Sequence, residues 1–190
     1  MKAKRTFDFI LSLIMLIVLA IPIILCIWAA AIDTRSNGVF VQKRIGRFGR
    51  PFKIIKVRTI RERPDGRRSI SRLGKFFRDA KIDELPQLLN VLRGDMSLVG
   101  PRPDIAGYYD KLEGEAKKIL ELRPGITSLA SVKYRDEEQL LARHRDSARY
   151  NDEVIFPDKV KMNLEYYYNR TFAGDLRIIG QTILNLIKRK

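Results

Sequence analysis

Residues 9–32, FILSLIMLIVLAIPIILCIWAAAI, carry no charge. No other stretch restricts the chain as strongly, because an apolar run of that length must be covered by protein or by lipid. As a straight helix it would reach ~36 Å, enough to cross a hydrocarbon core of ~30 Å. A cleaved leader is disfavoured by the length of the run and by the basic sequence after it. A single span meets two obstacles. Pro22 falls near the middle, where it removes a helix hydrogen bond and bends the chain. Both flanks are basic, with Lys2, Lys4 and Arg5 before the run and Arg35, Lys43, Arg44, Arg47 and Arg50 after it. Basic flanks favour the cytoplasmic side. Both remain there if the helix enters the bilayer, bends at Pro22 and returns on arms of roughly 15–20 Å. The expectation is a re-entrant membrane helix over residues 1–32 and a cytoplasmic domain at the membrane surface over residues 33–190.

The chain has 190 residues, enough for one domain with a core or a small domain with an appendage. Lys and Arg number 37 against 22 Asp and Glu, a net charge of +15. That excess exceeds what solubility needs and points to anionic partners: nucleic acid, acidic lipid or a phosphorylated substrate. No recognised nucleic-acid motif is present, and an apolar anchor is an odd companion for one. The single cysteine, Cys26, excludes a disulfide within the chain and fits a reducing compartment. His144 stands in a charged run and reads as a solvated surface residue.

Beyond Asp33 no segment is long and apolar enough to span. GVFVQKRIGRFGRPFKIIKVRTI reads as two strands around a glycine-containing turn, with Phe52, Ile54, Lys56 and Arg58 sharing a face of the second. After a polar connection, LGKFFRDAKI and ELPQLLNVLRG read as helices, the second stopped by Gly94. GDMSLVGPRP reads as a loop. IAGYYDKLEGEAKKILEL and most of residues 135–170 read as helical, the latter interrupted at Pro157. DLRIIGQTILNLIKRK places Leu176, Ile179, Ile183 and Ile187 on one side of a helix that can pack on a core or lie in a membrane interface. The fold class is α+β: a membrane helix, a small β-hairpin and several helices, amphipathic interfacial ones among them.

Within RDAKIDELPQLLNVLRGDMSLVGPRP, Asp83 and Glu84 sit side by side. Alone, Asp83 reads as a helix N-cap, with Pro86 tolerated in the first turn. Its setting permits more. A helix N-terminus attracts anions, and Arg78 and Lys81 keep a carboxylate ionised. An ionised aspartate can attack phosphorus and form an acyl phosphate. A divalent cation held by Glu84 would relieve the repulsion between the two anions. Arg102, fixed between Pro101 and Pro103, presents a guanidinium suited to bidentate phosphate binding. Lys56 and Arg58 on their strand face, and Arg123 before Pro124-Gly125, are further phosphate candidates. Each of these cations has a plainer reading as a solvated surface charge. Tyr166, Tyr167 and Tyr168 suit either a membrane interface or a core.

These segments resemble one family in order. IKVRTI is similar to a YKFRTM motif, and RPGITSLASVKYR resembles RPGITGLWQVNGR. RLGKFFRDAKIDELPQLLNVLRGDMSLVGPRP is similar to the family signature over its whole length, and PDKVKMNLEYYYNRTFAGDLRII to its closing segment. The family is that of the bacterial sugar transferases, the small monotopic phosphoglycosyl transferases. The resemblance implies transfer of a sugar-1-phosphate from a UDP-sugar to polyprenyl (undecaprenyl) phosphate, the first membrane step in assembling a capsule, O-antigen, exopolysaccharide or glycoprotein glycan. It implies Asp83 as nucleophile and Glu84 as its partner, with Mg2+ held between them. It implies a re-entrant helix broken at Ser-Pro, where this chain has Ile21-Pro22. It places the protein on the cytoplasmic face of the bacterial inner membrane, with membrane lipid as a further partner and no nucleic acid. Neither the sugar nor the oligomeric state is named by it, and a homodimer is one arrangement open to the chain. The competing class is a basic membrane-surface protein without catalysis.

Overall fold

The computed structural model describes residues 2–188. Met1, and Arg189 and Lys190 at the end of the basic tail, lie outside the described residues. The chain forms two compact units, one of residues 1–44 and 51–96, the other of residues 45–50 and 97–190.

The first unit is organised by α1 (Lys2–Thr34), a helix of 33 residues that continues through Pro22. Asp8, Ser12, Ile23, Ala30 and Thr34 are buried along one face, at helical spacing. The opposite face is apolar and bare: Ile17 is 70% exposed, Ile21 72% and Trp28 66%. Such a face suits lipid and not water. The packed face meets Val57 and Phe77, with Cys26, Ile27, Leu73 and Ile82 around them. Next come β1 (Val39–Ile45) and β2 (Pro51–Val57), which pair as the sequence suggests. A second, antiparallel hairpin follows, β3 (Ile60–Glu62) with β4 (Arg68–Ile70), in register Ile60 to Ile70. Its tip is Pro64-Asp65-Gly66, and Gly66 takes a φ of 78° that a side chain would resist. The Ser71 hydroxyl caps α2 (Arg72–Asp79) by accepting the Gly74 N–H, and donates to Asp33 at the end of α1 at 2.6 Å. A 3-10 turn, Ile82–Gln87, runs directly into α3 (Leu88–Arg93), which Gly94 closes at a φ of 89°.

In the second unit the GDMSLVGPRP segment is not wholly a loop. Its Ser97–Val99 form β5, which pairs in parallel with β6 (Gly125–Thr127). Three residues are too few to show a period, and their partner is far along the chain. Residues 105–122, expected to be helical, form instead two 3-10 stretches, Tyr109–Lys111 and Gly114–Glu121. Gly107 and Gly114 take positive φ, and Leu112 is extended, so no single helix can run through. Then come α4 (Leu129–Lys133), α5 (Glu137–Ala142) and α6 (Ser147–Tyr150). A π-turn, Asn151–Ile155, leads into α7 (Phe156–Asn169). Pro157 therefore stands in the first turn of α7, where its missing N–H costs nothing; the breaks lie upstream. The last helix, α8 (Phe172–Ile187), packs through Asp175, Ile178 and Thr182. Its Leu176, Ile183 and Ile187 are exposed, together with Phe172. Mixed helices and small sheets match the α+β expectation.

Candidate active site

Asp83 and Glu84 lie in the 3-10 turn ahead of α3, not at its cap. Gln87 holds the cap position of α3, and the 3-10 turn itself starts after Lys81, whose φ of 57° turns the chain sharply out of α2. No side chain caps that turn, so the N-cap reading of Asp83 does not hold. Both carboxylates are nearly buried, 8% and 6% exposed. Buried carboxylates need compensation. Glu84 finds it in Lys56, whose Nζ donates to Oε1 at 3.2 Å from β2. Arg78 is half-buried in the last turn of α2, in the same unit. Arg58 follows the end of β2 and is committed to β1: it donates to the Val39 carbonyl at 3.1 Å and lies over the Phe40 ring.

Two neighbours of the acid pair escape a reading of the sequence. Asn90 is fully buried and acts as a short extra strand against β2. Its Nδ2 donates to the Lys53 carbonyl at 2.8 Å, and its Oδ1 accepts the Ile55 N–H at 3.2 Å. It thus couples α3 to the strand that carries Lys56. Gln87, three residues after Glu84, is also buried, and its Nε2 has no hydrogen-bond partner among the described residues. The available signal was a polar residue recurring at helical spacing after Glu84 on an otherwise apolar face.

Arg102 and Arg123 belong to the second unit, where the β5–β6 pair brings their segments together. The Gly125 N–H donates to the Pro101 carbonyl at 2.8 Å. A Cβ on Gly100 would fall 2.3 Å from the Arg123 carbonyl oxygen, so only glycine permits the approach. Arg102 lines a shallow pocket with Pro101, Pro103, Tyr109, Leu122 and Pro124. The loop that departs most from the family pattern is clasped: Lys133 and Tyr134 both donate to Asp158 on α7 at 2.7 Å. Burial, and then its bond to Asp158, push the Tyr134 hydroxyl up to about 12. Of the three consecutive tyrosines, Tyr166 is buried and bonded to Asp175, while Tyr167 and Tyr168 donate to Glu121 and Glu115. His144 is exposed and stacks on Tyr150.

Among the described residues no group of three or more His, Cys, Asp or Glu could hold a metal. Mg2+ needs no such cage. It commonly takes one or two carboxylates and completes its shell with water and substrate phosphate. The adjacent carboxylates of Asp83 and Glu84 fit that mode, with the orphaned Gln87 amide on the same short helical segment.

A family model described as bacterial sugar transferase matches residues 1–189. The chain is 33% identical to a UDP-glucose:undecaprenyl-phosphate glucose-1-phosphate transferase of Caulobacter vibrioides, over 97% of this chain and 69% of that protein. It is 30% identical to the uncharacterised sugar transferase EpsL of Bacillus subtilis, over 98% and 88%. It is 28% identical to an undecaprenyl-phosphate galactose phosphotransferase of Salmonella typhimurium, over 98% of this chain but 40% of that protein.

Proposed function

The chain belongs to the bacterial sugar transferase family, and we propose that it moves a sugar-1-phosphate from a UDP-sugar to undecaprenyl phosphate through a covalent aspartyl intermediate. The observation that carries the reading is the buried Asp83–Glu84 pair, set at the start of a helical segment with Lys56 3.2 Å from Glu84.

An Asp83 carboxylate oxygen attacks the β-phosphorus of the UDP-sugar. The bond from that phosphorus to the bridging oxygen breaks, and UMP leaves with the electron pair. A phosphate oxygen of undecaprenyl phosphate then attacks the same phosphorus, freeing the Asp83 carboxylate and forming the lipid-linked diphosphosugar. Mg2+, held by Asp83 and Glu84, would supply charge neutralisation to the phosphates. Lys56 orients Glu84 and adds a positive charge beside it. Arg78, in the same unit as the acid pair, is assigned to an anionic group of a substrate; Arg102 and Arg123, in the other unit, are phosphate candidates by their own chemistry. The glycan whose assembly this step begins is left open by the chain.

The apolar α1 supports a membrane placement. At its start Arg5 donates to the Val91 and Leu92 carbonyls at 2.6 and 3.1 Å, and at its end Asp33 accepts from Ser71. Both ends are therefore tied to one folded unit. Ends held by one unit support a monotopic reading, with the bare face in lipid and both ends on the cytoplasmic side. The exposed stripe Phe172, Leu176, Ile183 and Ile187 suits α8 for the interface as well. One substrate is soluble and the other confined to the bilayer, so the reaction has to occur at the boundary.

The test is the half-reaction. Enzyme with Mg2+ and the matching UDP-sugar, without lipid, should release up to one UMP per site and gain one sugar-phosphate mapped to Asp83. Undecaprenyl phosphate should clear the adduct, and Asp83→Asn should form none. Normal turnover with both substrates, but neither adduct nor UMP without lipid, would mean direct transfer in a ternary complex. An Asp83→Asn variant as active as wild type would end the enzyme assignment of that residue.

A further inference from the structure

We infer that the β3–β4 hairpin is a contact for anionic lipid headgroups, rooted at the C-terminal end of α1; this rests on the membrane placement of α1 proposed above. Residues 60–70 hold Arg61, Arg63, Arg67 and Arg68 against Glu62 and Asp65, and none of their side chains is buried. The hairpin thus buries no side chain fully and leaves Arg63, Arg67 and Arg68 exposed. Arg67 pairs with Asp65 at 3.0 Å and Arg68 with Glu62 at 2.9 Å. Both pairs are solvent-exposed, and such pairs hold weakly enough for a lipid phosphate to share the guanidinium. Arg61 and Arg63 alternate onto one face and have no acidic partner among the described residues. Exposed Arg72 and Lys75 at the start of α2 extend the patch.

Location selects lipid over a soluble nucleotide. The hairpin packs on α1, and Ser71, the residue after β4, is bonded to Asp33 in the last turn of α1. Leu73, two residues further, packs into the cluster that includes Cys26, Ile27 and Ala30. The turn of α1 bearing Trp28 is therefore beside the hairpin's root. Exposed apolar residues stand on the same stretch of chain as the arginines, Ile70 at the end of β4 and Phe76 on α2. Arginines interleaved with exposed aromatic and branched side chains match a headgroup boundary, where the apolar parts enter the acyl region and the guanidiniums reach phosphate. A nucleotide would use the arginines and leave the apolar residues wet.

Trp28 is the single tryptophan of the chain, so it reports the lipid around this end of α1. The full chain is placed in neutral phosphatidylcholine nanodiscs containing a minor fraction of either brominated phosphatidylglycerol or brominated phosphatidylcholine. Trp28 quenching by the anionic lipid should exceed that by the neutral lipid by about two- to fivefold, the upper figure being the enrichment that about 1 kcal/mol from one net cation near a membrane surface would give. The excess should collapse in high salt. It should also vanish in the combined variant Arg61→Gln, Arg63→Gln, Arg67→Gln, Arg68→Gln, whose quenching by the neutral lipid should match wild type. Equal quenching of the wild type by the two lipids, or an excess that survives the four substitutions, overturns the hairpin's role. No quenching by either lipid overturns the membrane placement of α1 itself, and the hairpin's role with it. Neither readout depends on catalysis, so a failed transferase assignment would be told apart.

Discussion

Asn90→Ala should be among the most damaging single changes in the first unit, because it strips a strand edge without touching the acid pair. The side chain satisfies two backbone groups of β2, the Lys53 carbonyl at 2.8 Å and the Ile55 N–H at 3.2 Å. Its Nδ2 also lies 3.3 Å from Asp95 Oδ2. Alanine leaves both part-buried backbone groups without the Asn90 side chain as partner, at a position where that side chain is itself fully buried. Each orphaned group costs about 1–3 kcal/mol, so the loss is about 2–6 kcal/mol before any cavity is counted. At about 2–4 °C per kcal/mol for a chain of this size, Tm should fall by roughly 10 °C. Asn90→Asp should do no better. It keeps an acceptor for the Ile55 N–H but turns an oxygen toward the Lys53 carbonyl and a charge toward Asp95. Thermal unfolding in matched detergent, followed by circular dichroism, measures both variants. If Asn90→Ala lowers Tm by less than about 2 °C, below ~1 kcal/mol, the strand-edge account is wrong. A double-mutant cycle on kcat/KM with Lys56→Met then asks whether Asn90 acts through Lys56: coupling of at least about 0.5 kcal/mol is expected, and simple additivity would limit Asn90 to stability.

Other consequences are more compact. Lys133, first, and then Tyr134 hold the Asp158 carboxyl below its ordinary value of 3.8. A depressed folded value gives stability that is present above 3.8 and lost as pH falls through the lower folded value. Asp158→Asn should therefore lower Tm at neutral pH, the gap to wild type closing in acid; a gap independent of pH would deny the clasp. Gly125→Ala would set a Cβ 2.1 Å from the Gly100 nitrogen and should break the β5–β6 pair, seen as loss of soluble, protease-resistant protein; a normally folded variant would show that the pair can spread. Arg102→Lys keeps the charge and loses the planar fork. Activity should drop roughly 10- to 100-fold if it grips phosphate bidentately, and unchanged kinetics would return it to the solvated turn.

Local chemistry made part of the molecule legible. The uncharged run announced α1, alternation announced β1 and β2, and Gly94 marked the end of α3. The amphipathic stripe of α8 was visible in the spacing of Leu176, Ile179, Ile183 and Ile187, of which the structure leaves Leu176, Ile183 and Ile187 exposed and Ile179 half-buried. These features obey rules that act within a few residues, so a sequence displays them. The Asp83–Glu84 pair was visible for the same reason, though its N-cap reading gave way to a turn begun by the left-handed Lys81.

What lay beyond the sequence depends on residues distant along the chain. Nothing near Ser97–Val99 signals a strand; the strand exists because Gly100 and Gly125 let two backbones approach. Residues 105–122 have helical composition, but glycines at positive φ divide them. The Lys56–Glu84 pair joins β2 to the turn before α3, and Asn90 fixes that join. The sequence by itself determined which side chains were chemically able: the acids, the arginines and the apolar helix. Tertiary structure decided which of them meet, that both ends of α1 are held by one unit, and that the arginines beside it stand on a hairpin with no core of its own. Burial, backbone approach and long-range pairing are properties of the assembled chain, and no short stretch of residues carries them.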